Sequence, residues 1–525
     1  MHKKIIIIII TLILIISCKN NNESKDIIIN IGAEPRTIDP TLNTINIDGT
    51  YILNSFEGLT KKDKDNNIIP GVAEKWDISE DGLTYTFYLR TNSKWSDGKP
   101  VTAHDFVYSW QRVVNPKVSA PFAIFVDYIQ NAREIIAGEK NIEELGIKAI
   151  DDYTLEVILN NPTAYFLDFT GYFTLCPVRK DIIEKYGDNW TLNPETYIGN
   201  GAFKMIERKV DDKIVMVKNT NYWDTDNVKP EKITFIMMDD TTSALAGIKG
   251  NTLHLSKFVS FNNIPDLQKE NLIETIDLLA SSVIRVDLQN EVLKDIKVRK
   301  ALSLAIDRDY IIKNVTFIGE YATYYTPTHT KNYNIVRNEN YIRKDFSKNV
   351  EEAKKLLAEA GYPDGKGFPV IDISVPIRVG QVEVAEAIQS MWKEYLGIDI
   401  TINKYEQSVY SSLALNREFK GLVQNVWTAD FNDPIAFLST LQSYSSFNYL
   451  SYTNKEYDNL LNIANTNNNL EERTKLLYQA ENILVNDVGI IPLYYLKGAI
   501  LKSHNLKGVE YDPGEIIRFD KAYLE

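Results

Sequence analysis

A chain of 525 residues, 44% hydrophobic and 25% charged, has an ordinary globular composition and the length for two or three compact domains. Its 58 Lys and Arg against 71 Asp and Glu leave a net charge of -13, which argues against nucleic acid or anionic lipid headgroups as the principal ligand. The five histidines lack metal-like spacing, and no His-Glu-x-x-His, Gly-x-Ser-x-Gly or Cys-x-x-Cys motif occurs, which argues against metalloprotease, serine hydrolase and redox chemistry.

In chain order, the basic start Met1-His2-Lys3-Lys4 precedes an apolar run over 5–16, too short to span a bilayer comfortably and suited to a signal peptide. Leu14-Ile15-Ile16-Ser17-Cys18 resembles the lipobox of bacterial lipoproteins, which implies removal of 1–17 and lipid attachment at Cys18. Residues 18–26, polar and asparagine-rich, read as a lipidated tether. A strand is predicted over 27–31, ended by Gly32, and others over 84–89 and 153–159. Segments 203–206 and 214–217 flank Asp211-Asp212 as a hairpin, and Cys176 reads as a buried, inert thiol.

Helices are predicted along the stripe Val298, Ala301, Leu302, Ala305 and Ile306, then from an Asp307 cap over 310–315. Asn349 is placed to cap a further helix with Glu352 at its third position, and Gly361 and Pro363 stop it. The stretch from Gly361 to Lys366 superficially suggests a phosphate loop, but its glycines are too close and no Ser or Thr follows the lysine; it reads as a turn. Residues 465–469 are a polar loop between two helical patterns, and adjacent carboxylates such as Asp239-Asp240 and Glu351-Glu352 read as solvated faces.

Phe56-Glu57-Gly58-Leu59, the run from Pro70 to Trp76, the longer run from Lys94 to Arg112, Asn200-Gly201-Ala202-Phe203, Val298-Arg299-Lys300-Ala301-Leu302, residues 351–362 and Trp427-Thr428-Ala429-Asp430 resemble bacterial oligopeptide-binding proteins of ABC importers, the family 5 extracellular solute-binding proteins. The resemblance implies an α/β, two-lobed periplasmic-binding-protein-like clamp of the large peptide-binding type with an additional domain. By analogy the first lobe collects 27–56, 182–283 and 498–525, the additional domain spans 57–181, and the second lobe spans 284–497. It further implies a non-enzymatic, cofactor-free lipoprotein, expected to act as a monomer outside the cytoplasm. Such a protein captures short peptides in a closed interdomain cleft and delivers them to permease subunits.

A receptor for peptides of many sequences should bind the extended main chain and the charged amino terminus that all share. The resemblance assigns the ammonium to Asp430, with Trp427 shaping that end, Phe122 as an aromatic cleft residue, and Thr44 and Asn46 near the ligand main chain. Read without the resemblance, Asp430 is a turn carboxylate before Asp433-Pro434. At the ligand's carboxyl end the family's arginine and histidine are replaced by Gln424 and, approximately, Gln381, leaving Arg378 or Arg285 as candidates for the carboxylate. Gln407 replaces an aromatic stacking residue, Ser282-Val283-Ile284-Arg285 a tyrosine-rich stretch, and Glu291-Val292-Leu293 a Pro-Phe turn. Alternatives are the same fold binding a murein or signalling peptide, a dipeptide or a nickel complex, a surface adhesin with an empty cleft, and a peptidase, which no constellation supports.

Overall fold

The computed structural model describes residues 26–525 except 334, 336, 338, 339 and 379. The expected signal peptide, Cys18 and the tether through residue 25 lie outside the described residues. Strand β1 (Asp26–Gly32) follows from its isoleucines: Ile27, Ile29 and Ile31 are buried, and the backbone runs parallel to Lys232–Met237. An antiparallel sheet of β2 (Ala73–Ile78), β3 (Thr84–Leu89), β4 (Ile147–Asp151) and β5 (Thr154–Ile158) comes next, in spatial order β2-β3-β5-β4. Strand β3 buries Tyr85, Phe87 and Leu89 on one face. Helix α1 (Ala103–Val114) buries Phe106 and Trp110 in the same core, and the Trp110 indole donates to the Leu175 carbonyl at 2.9 Å. Cys176 beside it is buried, and burial pushes its thiol far above the usual range.

Among the described residues the main sheet has eleven strands. Strands β6 (Phe203–Lys209) and β7 (Lys213–Lys218) form the expected hairpin, turning at Asp211, whose φ is +58°. They are followed by β8 (Lys232–Met237), β9 (Leu255–Ser256), β10 (Ile273–Val286), β11 (Ile371–Pro376), β12 (Ile400–Tyr405), β13 (Leu422–Thr428) and β14 (Ile490–Lys502). The spatial order is β12-β11-β13-β10-β14-β9-β1-β8-β7-β6, with Glu320–Tyr321 beside β14.

Strands β10 and β14 run through both lobes. Residues 273–277 pair with 501–497 and 281–285 with 495–490, and the register shifts between Asp277 and Ser281. Strand β13 joins β10 only over 280–286, on the second-lobe side of that shift.

A second hydrophobic core fills the space between the sheet and helices α2 (Ile296–Leu304), α3 (Phe346–Glu359) and α4 (Gln381–Leu396). Its largest member, Trp392, is fully buried and donates to the Leu302 carbonyl at 2.8 Å. Full burial of a large apolar side chain contributes about 1.5–3 kcal/mol. Asp307 caps as expected, accepting from the Tyr310 amide at 2.9 Å, but the helix after it is one α-turn over Arg308–Ile311 and a π-turn over Ile312–Thr316. The cap of α3 is a correction. The helix begins four residues earlier, after Asp345, where Phe346 packs edge-on against Tyr395 with centroids 5.4 Å apart. Asn349 lies inside the helix, buried, its amide clasping the Arg343 backbone at 3.0 and 2.7 Å.

Candidate functional site

Strand β11 covers only Leu422 and Val423 of β13. It then ends at Pro376, which has no N–H for a ladder bond, and the chain folds back as the Arg378 amide donates to the Pro376 carbonyl at 2.9 Å. Gly380, at φ +83°, turns it into α4. Strand β13 from Gln424 to Thr428 consequently has β10 on one side and, among the described residues, no strand on the other. Extended pairing continues to Ala429, whose amide donates to the Leu279 carbonyl at 2.7 Å. A free, extended edge of this kind accepts another main chain as an added strand.

Trp427 divides two cavities along this edge. Its indole N–H donates to the Ala436 carbonyl at 2.7 Å and its ring meets Phe447 edge-on, centroids 4.9 Å apart. On one side lies a cavity of about 560 Å³ lined by Asp430, Phe125, Tyr128, Tyr165, Phe169 and Phe431. On the other lies one of about 280 Å³ lined by Arg378, Gln381, Gln407, Tyr410, Asn425 and Tyr449, at the end of α5 (Gln407–Leu415).

Asp430 opens onto the larger cavity and has no hydrogen bond or ion pair among the described residues. The surrounding protein strips water from its carboxylate and raises its pKa to about 6. The turn role belongs instead to Asp433. Both of its oxygens accept from the Arg473 guanidinium at 2.8 Å, and Oδ1 also accepts from the Ile435 amide at 2.9 Å. An accessible carboxylate with no cation of its own, at the end of a free strand edge, is suited to an ammonium group.

Asn46 and Tyr172 belong to the same end. The Tyr172 hydroxyl donates to Asn46 Oδ1 at 2.6 Å, and burial, with a smaller effect of the nearby Asp430 charge, holds the phenol well above its usual range. Thr44 is exposed two residues before Asn46. Phe122 lines neither cavity: it stacks on Phe125 at 5.3 Å and meets Tyr172 edge-on at 6.0 Å, one ring behind the wall.

At the opposite end Arg378 is exposed at the second cavity. Gln424, expected at the ligand's carboxyl end, is fully buried and lines neither cavity; its carbonyl accepts from the Tyr410 hydroxyl at 2.8 Å. Arg285 is also buried, its guanidinium donating to the Phe447 carbonyl and lying over the Tyr449 ring at 4.8 Å. It sits behind residues of the cavity wall, because β10 and β13 turn it toward that wall's packed side. The residues that sequence reasoning missed are the aromatic ones: Phe125, Tyr128, Tyr165, Phe169, Tyr172 and Phe431 at one end, Tyr410, Phe447 and Tyr449 at the other. Their three- and four-residue spacings were visible, but such spacing reads equally as core.

The profile of the family described as "Bacterial extracellular solute-binding proteins, family 5 Middle" matches residues 67–449. The periplasmic oligopeptide-binding protein OppA of Salmonella typhimurium is 34% identical over 491 residues, which are 91% of this chain and 88% of that protein. Among solved structures, the periplasmic murein tripeptide-binding protein MppA in its unliganded open form superposes with a TM-score of 0.85 at 32% identity, over 96% of this chain and 98% of that one. OppA of Haemophilus influenzae in complex with RPPGFSPFR superposes with a TM-score of 0.74 at 31% identity, over 96% and 99%. The overall superposition is closer with the open, unliganded relative than with the peptide complex.

Proposed function

Because this chain belongs to the family 5 bacterial extracellular solute-binding proteins, we propose that it is the peptide receptor of an ABC importer, capturing short peptides between its lobes for delivery to the permease. It does no covalent chemistry. The observation that carries the reading is the free edge of β13 with the unpaired Asp430 carboxylate at its end. The peptide main chain adds to that edge, its ammonium meets Asp430, and Trp427 separates the side-chain spaces on either side. Asn46, with Thr44 beside it, approaches from the first lobe as the cleft closes, and Phe122 backs the aromatic wall.

The division into a first lobe of 27–56, 182–283 and 498–525, an additional domain of 57–181 and a second lobe of 284–497 belongs to the same proposal. The register shift at 277–281 supplies its hinge. So do the lipid on Cys18, which would hold the folded body at a bacterial membrane outside the cytoplasm, and action as a monomer; the basic start and short apolar run support the anchor. Mass spectrometry of molecules released by denaturing purified protein from residue 26 onward tests the function. Short peptides are expected. A non-peptide molecule, or protein that is empty and binds no member of a peptide library, would overturn it.

A further inference from the structure

We infer that the chain carries a second binding site, away from the peptide edge, for a small monocarboxylate with a short apolar body, received by Arg90. A cavity of about 460 Å³ lies among residues 53–70, Arg90, Trp223 and the chain from 510 onward. It shares no lining residue with either cavity beside Trp427, and none of its lining residues falls within 284–497. Its volume is within the range of about 300–1,000 Å³ common for small-molecule sites. Strand β13 takes no part, so the site stands apart from the peptide-receptor reading.

Arg90 is held in place before any ligand arrives. It follows directly on β3, and its amide donates to the Val72 carbonyl at 2.9 Å. Its Nε donates to the Gly71 carbonyl at 2.8 Å, and its guanidinium lies over the Trp223 ring, 3.7 Å from the centroid. The indole is fixed in turn: its N–H donates at 2.5 Å to the buried Glu57 carboxylate, which also accepts from the Tyr222 hydroxyl. Among the described residues neither Nη of Arg90 has an acceptor, although the half-buried side chain lines the cavity.

The other cations of the cavity are already paired. Lys61, Lys62, Lys64, Arg518 and Lys521 have carboxylates at 2.9–3.7 Å, those of Glu57, Asp512, Asp65, Glu510 and Asp224 in turn. Arg90 alone among the lining cations has none among the described residues. A guanidinium whose stem is fixed and whose two Nη groups are free presents a planar fork to a carboxylate at little entropic cost. One free positive charge matches one negative charge. A phosphate dianion would bring a second beside Glu57, Asp224 and Glu510, which line the same space. Half-buried Leu53, Ile69 and Pro70 line it too and give the body of the ligand apolar surface to cover.

Ligand-observed NMR titrations of the protein from residue 26 onward with hexanoate, hexanamide and hexyl phosphate test this on the native chain and on Arg90→Gln, the variant's folding being checked by melting. Hexanoate should bind with a Kd of about 1 mM or tighter, and at least about ten-fold more tightly than hexanamide or hexyl phosphate. In Arg90→Gln its affinity should fall to that of the amide, and saturating the native protein with a verified peptide should leave it unchanged. Equal binding of acid and amide to the native chain would overturn the inference without any variant. So would tighter binding of the phosphate, an acid preference that survives Arg90→Gln, or displacement of hexanoate by the peptide.

Discussion

Phe431 stacks on Tyr165 with ring centroids 4.5 Å apart and planes 22° from parallel, so the residue next to Asp430 is gripped by a ring distant in sequence. Phe169 closes the stack edge-on at 5.1 Å, and the Arg473 guanidinium lies over Tyr165 at 5.7 Å. Asp430 is thereby fixed from both sides, by this stack and by the Ala429 amide on Leu279. Phe431→Leu keeps an apolar side chain but loses the stack, which is worth about 1 kcal/mol. The expected result is a small loss of thermal stability and a larger loss of affinity for free-amine peptides, measured by melting and calorimetry on the same preparation.

The acidity of Asp430 gives binding a pH dependence. Although Asp430 is exposed, the protein around its carboxylate raises its pKa to about 6, so the unliganded group takes up a proton as pH falls through that value, and only the ionised form can pair with an ammonium. Affinity for a free-amine peptide should be flat at neutral pH and fall toward about ten-fold per unit well below pH 6, with proton release on binding in that range. Stability runs the other way. A folded pKa above the unfolded value contributes stability that is fully present below about pH 4 and lost as pH rises through about 6. Asp430→Asn should therefore flatten the binding profile and leave the unliganded protein at least as stable at neutral pH.

Three residues along, Asp433 makes the opposite prediction. Its side chain and that of Arg473 are each 2% exposed and joined by two bonds of 2.8 Å. Asp433→Ala strands a buried guanidinium and should cost about 3–5 kcal/mol in denaturant unfolding, whereas Asp430→Ala should cost almost nothing. Comparable losses at the two positions would mean that Asp430 has a structural partner after all.

On the proposed division, the register shift in β10 between Asp277 and Ser281 lies where the two long strands pass from one lobe to the other. Saturation with a verified peptide should lower the radius of gyration measured by solution scattering. An unchanged radius would mean that the cleft fills without closing.

Much of this was legible because it is local. The alternation in Thr84–Leu89 specifies its strand to the residue, and the Asp307 cap and the turn after α3 follow from single side chains and glycine. The start of α3 was not legible: a distant residue, Tyr395, gives Phe346 its packing surface. At the site, Asp430 and Trp427 stood out through the Trp-Thr-Ala-Asp segment. Gln424 could have been excluded, since an odd spacing of three from Trp427 puts it on the other face of the strand. The aromatic wall could not be foreseen, because Phe125, Tyr165 and Phe169 have the same spacing whether their face meets core or an open cavity.

The central claim is that an extended peptide lies along β13 with its ammonium on Asp430. Calorimetry of one peptide, with a free and with an acetylated amino terminus, on the native chain and on Asp430→Asn tests it most directly. Asparagine keeps the size and an acceptor oxygen and deletes only the charge. The account predicts a loss of about 3 kcal/mol for the free-amine peptide and almost none for the acetylated one. Equal losses for the two peptides would contradict it and place the amine elsewhere.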